Sequence, residues 1–313
     1  MKILIGLDPS TKNNPLIPDL QRAGLPEKAT VVLLVACPPV VPMEYMALEG
    51  YGIASPANGY AQLIQNQKLL QKQTKTKSLK AGQELQEYFP KWKIKVETIE
   101  GLASKAILDY EASWQPHLLI LGSHGWNSFV KLLIGSVADK VLTHAAGNVR
   151  IIKIKKGKKS NPPRLLIGYD GSEEAEAAIK EVAHRPWPVG TEVKILSVSD
   201  YQLRIDEMNQ AIQKTKPSQK QSKTAWTWME NKIETNMKIL EKAGLKASMA
   251  IVNGDPRHVI LEYAESYKAD VIFMGHRGIS GFKRILLGSV SSAIASHAPC
   301  TVEIIRTSLP KKL

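Results

Sequence analysis

Slid against itself by 153 residues, the sequence aligns residues 93–152 with 246–305 without a gap. In the last 31 of those pairs 12 are identical, among them Gly122/Gly275, Gly125/Gly278, Gly135/Gly288, Ser136/Ser289 and Val137/Val290. Further back Gly101/Gly254 and Tyr110/Tyr263 also match, while Gly6-Leu7-Asp8 meets Gly168-Tyr169-Asp170 only after a nine-residue shift. A period of this size is too long for a solenoid unit and marks a duplicated domain. The chain has 313 residues, room for two such domains. The expected boundaries are 1–152 for the first copy, 153–163 for a linker and 164–313 for the second.

Each copy alternates apolar runs with helical spacing. In the second, RLLIGYD reads as a buried strand, and EEAEAAIKEVAH after it as a helix with Ser172 as N-cap. EVKILSVSD, KASMAIV, DVIFMG and TVEIIR are further strands. Between them lie a helix from Ala225 to Gly244, one opened by Asp255-Pro256, and a last one starting at Gly288. The first copy repeats the order, with Pro15 and Pro18 leaving little room for its first helix. Pro38 to Tyr60 reads as a Pro/Gly-rich loop before a long polar helix near 61–89. Continuous apolar strands alternating with helices imply an α/β fold whose parallel sheet is covered on both faces.

In open sheets of this kind ligands bind beyond the carboxyl ends of the strands, where strand order reverses. The fourth strand delivers Gly275 to that edge. Gly275 and Gly278 lack a Cβ that would keep a ligand from the main chain. Gly288-Ser289-Val290-Ser291 then opens a helix whose free N–H groups and dipole attract an anion, with two hydroxyls at hand. Lys283 and Arg284 add positive charge between the two parts, and Phe282, Ile285, Leu286 and Leu287 are apolar anchors for that loop. A single copy of this spacing is equally well two loop glycines and an N-cap. Its recurrence at the fourth strand of both copies favours a phosphate cradle, although common ancestry alone also preserves it.

Composition removes several other functions. The net charge is +13, but residues 153–164, KIKKGKKSNPPR, hold six basic and no acidic side chains, nearly half of the excess. That is a solvated tether rather than a face for specific nucleic-acid binding. No run is apolar and long enough for a membrane span. Cys37 and Cys300 form no CxxC and read as incidental thiols of a reduced, cytoplasmic chain. The sequence carries no G-x-x-x-x-G-K-[ST] and no G-x-G-x-x-G, and His124 and His276 have no metal-ligand cluster around them. Neither a catalytic residue nor a metal ligand is assigned.

Taken together the pieces resemble the universal stress protein family, as a tandem two-domain member. The signature G-x-x-G-x9-G-[ST] reads Gly275, Gly278, Gly288-Ser289, and again Gly122, Gly125, Gly135-Ser136. GYDGS at Gly168, NGDP at Asn253, ADVIFMGHRG at Ala269 and HAPCTVEIIR at His297 support it. The match leaves out only the linker, 42–60 and 202–222. It implies two open, Rossmann-like five-stranded parallel sheets, paired about a pseudo-two-fold through their last strands, with a further homodimer left open. It also implies an ATP-binding regulatory role in the stress response, with any magnesium held through the phosphates and a protein partner of unknown identity. A slow ATPase or self-phosphorylating protein, and a scaffold that binds no nucleotide, are the alternatives.

Carried over residue by residue, Asp170 and Val198 line the adenine site, with Tyr169 and Met274 beside them. Gly275 and Gly278 meet ribose and phosphates, and Gly288, Ser289, Val290 and Ser291 hold the phosphates. The first copy offers Asp8, Ala36, Gly122, Gly125, Gly135, Ser136 and Val137. There Pro9 replaces the glycine of the D-G-S turn and Ala138 stands in place of Ser291. The second site is therefore expected to bind more tightly.

Overall fold

The computed structural model describes residues 1–8, 16–37, 56–123, 134–153, 161–199, 219–278 and 287–307, with the backbone alone at 56–61, 63 and 219–228. The first half runs β1 (Lys2–Gly6), the single turn α1 (Ile17–Leu20), β2 (Thr30–Cys37), α2 (Pro56–Tyr88), β3 (Lys93–Glu100), α3 (Ala103–Trp114), β4 (Leu118–Gly122), α4 (Ser136–His144) and β5 (Asn148–Ile152). The second runs β6 (Arg164–Gly168), α5 (Glu173–His184), β7 (Glu192–Ser199), α6 (Gln219–Lys242), β8 (Lys246–Asn253), α7 (Pro256–Ser266), β9 (Val271–Gly275), α8 (Ser289–His297) and β10 (Thr301–Ile305).

Local chemistry sets the helix starts. Ser172 accepts a hydrogen bond from the Ala175 N–H (3.2 Å), and Glu173, Glu174 and Glu176 fill the first turn of α5 at its positive end. Asp255 caps α7 by accepting from the Arg257 N–H (2.8 Å), with Pro256 next to it. Ser172→Ala is expected to cost about 1 kcal/mol, read as a lowered midpoint in thermal unfolding. Two helices begin earlier than the spacing predicts, α2 at Pro56 and α6 at Gln219. Pro56 is compatible with a first helical position, so the expected loop ends there rather than at Tyr60. The remaining residues of the 42–60 loop, most of the 202–222 segment and linker residues 154–160 lie outside the described residues.

All strands join one ten-stranded sheet in the order β3-β2-β1-β4-β5-β10-β9-β6-β7-β8. Within each half the pairs are parallel, and the strand order reverses between β1 and β4, and again between β6 and β9. The halves meet through β5 and β10, which pair antiparallel with Val302 opposite Ile151, Glu303 opposite Arg150 and Ile304 opposite Val149. The expected intrachain pairing of the two last strands is thus present. It covers what would otherwise be two open edges.

The two faces of the seam differ. On one, apolar residues run without a break from Leu4, Leu119 and Val149 to Val302, Ile272 and Leu166 under α3, α4, α7 and α8. On the other, one cluster lies beneath α1 and α2 and a second beneath α5 and α6. Buried charge separates them. Arg150 Nη1 donates to Glu303 Oε2 (2.8 Å), and Arg150 Nε to Asp19 Oδ1 (2.8 Å). Thr301 Oγ1 donates to Asp19 Oδ2 (2.7 Å). Arg185 donates to both oxygens of Glu303 and reaches Glu181 Oε1 at 2.8 Å. Arg150 and Glu303 are both 0% exposed.

A second pair of contacts crosses the seam symmetrically. Lys153 Nζ donates to the Ser296 and Ala298 carbonyls (2.8 and 3.0 Å) at the end of α8. Arg306, its counterpart under the repeat, donates to the Gly147 (3.0 Å) and Leu142 carbonyls at the end of α4. Each places a cation against the negative end of a helix from the opposite half. Burial pushes the Lys153 ammonium down to about 8.

Candidate functional site

In the first half a cavity of about 340 Å³ opens at the carboxyl edge of the sheet, at the reversal between β1 and β4. Its lining brings together Asp8, Ala36, Gly122, Gly135, Ser136 and Val137, every described residue expected there. Gly125, Pro9 and Lys131 lie outside the described residues. Gly6, Ser123, Ala103 and Ile107 also line it. Gly6 was legible in advance, because the repeat pairs Gly6 with Gly168. A Cβ there would come 2.3 Å from Leu121 Cδ2, so its absence lets Leu121 pack across the strand.

The anion-attracting end of the cavity is the start of α4. Gly135 is its N-cap, with φ −69° and ψ 152°, and has no side chain to satisfy the first-turn N–H groups. Its own N–H is used, donating to the Ser123 carbonyl (2.6 Å), which ties the helix start to the end of β4. Asp8 contributes a carboxylate acceptor from the end of β1, and Leu34, Ile107, Leu121 and Val137 supply apolar wall. Such a cavity suits a ligand with a donor-bearing head, a flat apolar middle and an anionic tail. Asp8 is the sole titratable side chain among the described lining residues.

The second half keeps the backbone frame and fills it differently. Gly288 is the N-cap of α8, and its N–H donates to the His276 carbonyl (2.8 Å), as Gly135 does to Ser123. Ser289 and Val290 begin the helix beside it, and Val198 is half-buried at the end of β7. Ser291, however, is turned inward. Its hydroxyl is buried and donates to the Gly275 carbonyl (2.7 Å), closing α8 onto the end of β9. In this structure the Ser291 hydroxyl, expected on a phosphate, is used within the chain, and Ala138 stands at the same place in the first half.

Five other residues expected at this site, Gly275, Gly278, Asp170, Tyr169 and Met274, are packed against the chain's own atoms. The space a Cβ would take on Gly275 is filled by α5, with Glu174 Cβ at 2.7 Å and the Ala175 nitrogen at 3.0 Å. That on Gly278 is filled by Asp170 Oδ2 at 2.4 Å. Both glycines thus admit the chain's own atoms. Asp170 is held by the Ser172 N–H (3.0 Å) and hydroxyl (2.6 Å), so the D-G-S turn fixes its carboxylate locally. Tyr169 is core: it is 3% exposed and its hydroxyl accepts from Asn236 Nδ2 (3.1 Å) on α6. Burial pushes that phenol up to about 12. Met274 is buried as well, its sulfur packed against Gly168. Lys283 and Arg284 lie outside the described residues.

Burial, with Arg306 and Arg277 nearby, pushes His276 down to about 4, so the ring is neutral at pH 7. No group of His, Cys, Asp or Glu that could hold a metal occurs among the described residues. Cys37 and Cys300 are both buried. No helix among the described residues is long and apolar enough to cross a membrane.

This fold, doubled, with a glycine-capped helix start at the reversal of strand order, is that of a universal-stress-type α/β domain. The sequence model of the universal stress protein family matches residues 1–153 and again 163–306, and the chain belongs to that family. A universal stress protein of Bacillus subtilis is 29% identical over 165 residues, covering 46% of this chain and 98% of that protein. One from Methanocaldococcus jannaschii is 30% identical over 154 residues, covering 46% and 94%. The crystal structure of a universal stress protein from Archaeoglobus fulgidus superposes on 97% of this chain and 98% of its own, with a TM-score of 0.63 and 20% identity. That last likeness carries the two-domain fold.

Proposed function

We propose that the chain is an ATP-binding regulatory member of its family, and that the first-half cavity is its principal site. The observation that carries this is the uncapped start of α4 opening into an apolar-walled cavity with the Asp8 carboxylate among its lining residues. The N–H groups of that turn take phosphate oxygens, and Asp8 accepts from hydroxyl or amino groups of the nucleoside. The apolar wall takes the base. Any metal arrives with the phosphates. The second half, where Glu174, Ala175 and Asp170 occupy the approaches to Gly275 and Gly278, binds more weakly in this reading. This reverses the ranking expected from the sequence.

The ligand is held rather than turned over in this reading. Asp8 is the one candidate base in the described lining, and a phosphoryl transfer would need a nucleophile positioned against it. The test is to heat the purified protein and identify the released small molecule by mass. An adenine nucleotide, one tight equivalent per chain, is expected. Absence of nucleotide, together with no heat of binding on adding ATP, would leave the scaffold reading standing. Steady release of labelled phosphate during long incubation with ATP would establish the enzyme instead.

A further inference from the structure

Arg150 and Glu303 occupy the same position in the two repeats, separated by the 153-residue offset, and they stand directly opposite each other in the sheet. The flanking pairs exchange around them, Val302 with Ile151 and Ile304 with Val149. The pseudo-two-fold axis therefore passes between one arginine and one glutamate. Symmetry would demand identical residues at such a point, and the sequence breaks it with opposite charges. Both side chains are fully buried and 2.8 Å apart.

The asymmetry extends outward in alternating sign. Asp19 lies beside Arg150, Arg185 beside Glu303, and Glu181 beside Arg185. An edge of the first kind meeting its own copy would bury Arg150 against Arg150. An edge of the second kind would bury Glu303 against Glu303. Either arrangement loses the central ion pair and puts like charges in its place, in a site closed to water.

We propose that this seam is a keyed interface. Each edge accepts a universal-stress-type edge bearing the opposite charge at its central position and rejects a copy of itself. The preference for the unlike pair is on the order of a hundredfold or more in association constant. The partner that fits β10 is thus an edge strand with a central arginine and an acidic residue behind it, as in β5 with Asp19.

The experiment uses the whole folded chain with a specific protease site placed within residues 155–159 and cut after folding. Native mass spectrometry over a dilution series, after mixing isotope-labelled and unlabelled cut protein, counts like and unlike pairs. Cut wild type is expected to give unlike pairs throughout, and like pairs would overturn the proposal. The variant with Asp19→Asn, Arg150→Met, Arg185→Met and Glu303→Met together removes the key and is expected to give both kinds. Unlike pairs alone from that variant would show that the charges do not select. If its circular dichroism shows that it does not fold, cut Glu303→Arg is read instead. Its unlike pair is expected to dissociate at a concentration at least about a hundredfold higher than wild type, and undiminished association would sink the idea.

Discussion

Replacing Glu303 by leucine is expected to lower the free energy of unfolding by about 3–5 kcal/mol, because two arginines lose the carboxylate that neutralises them in a buried site. Arg150 keeps Asp19, and Arg185 keeps Glu181 and the Ala23 carbonyl. Neither is left bare, yet the central bonds vanish from groups that water does not reach. Removing the whole network is a different matter. With Asp19→Asn, Arg150→Met and Arg185→Met added, most of the loss is expected to return, since apolar groups of similar volume often replace buried ion networks at little cost. Urea denaturation of wild type, single and quadruple variants measures this, and a single-variant loss under about 1 kcal/mol would contradict it. The pH dependence has a definite sign. Burial alone would raise the Glu303 carboxyl, but Arg185 and Arg150 together hold it below its ordinary 4.5. Its contribution is therefore complete above about that pH and is lost as pH falls through the lowered value. The single variant should show a flatter acid limb.

Gly135→Asp is expected to weaken nucleotide binding by at least about tenfold while leaving the fold intact. A carboxylate there would accept from the first-turn N–H groups of α4, where the phosphates are proposed to sit. The position nevertheless suits aspartate structurally: Gly135 is an N-cap with extended φ and ψ, and Asp is among the preferred N-cap residues. Loss of binding without loss of stability would separate ligand from scaffold. Gly288→Asp is predicted to behave differently. Gly288 is an N-cap of the same geometry, where a Cβ meets the His276 carbonyl at 3.2 Å and Arg277 Cα at 3.5 Å, and the variant is expected to leave the tight site little changed. Calorimetry with ATP on both variants distinguishes them. If Gly288→Asp abolishes the tight site and Gly135→Asp spares it, the assignment to the first half is wrong.

The fold was legible because duplication doubles every signal. Ser172 and Asp255-Pro256 mark helix starts by short-range chemistry, and apolar runs at fixed intervals mark parallel strands. The frame of the site was legible for the same reason, since Gly135 and Gly288 recur at one place in each copy. What the side chains do inside that frame was not. The Ser291 hydroxyl finds Gly275, sixteen residues back, a contact that local patterns do not encode. Gly275 and Gly278 looked bare in the sequence because α5 and Asp170, which lie against them, come from about a hundred residues earlier. The charged seam was hidden for a related reason. Arg150 and Glu303 read as single polar interruptions in apolar strands until the antiparallel register sets them face to face.

The reversal of strand direction between β5 and β10 sets where the strand ends of the two halves face. Carboxyl ends point one way in the first half and the opposite way in the second. The cavity beside α4 and the helix start at Gly288 therefore open on opposite rims of the sheet. Whatever binds at the strand ends of one half therefore stands at the opposite edge of the sheet from whatever binds at those of the other.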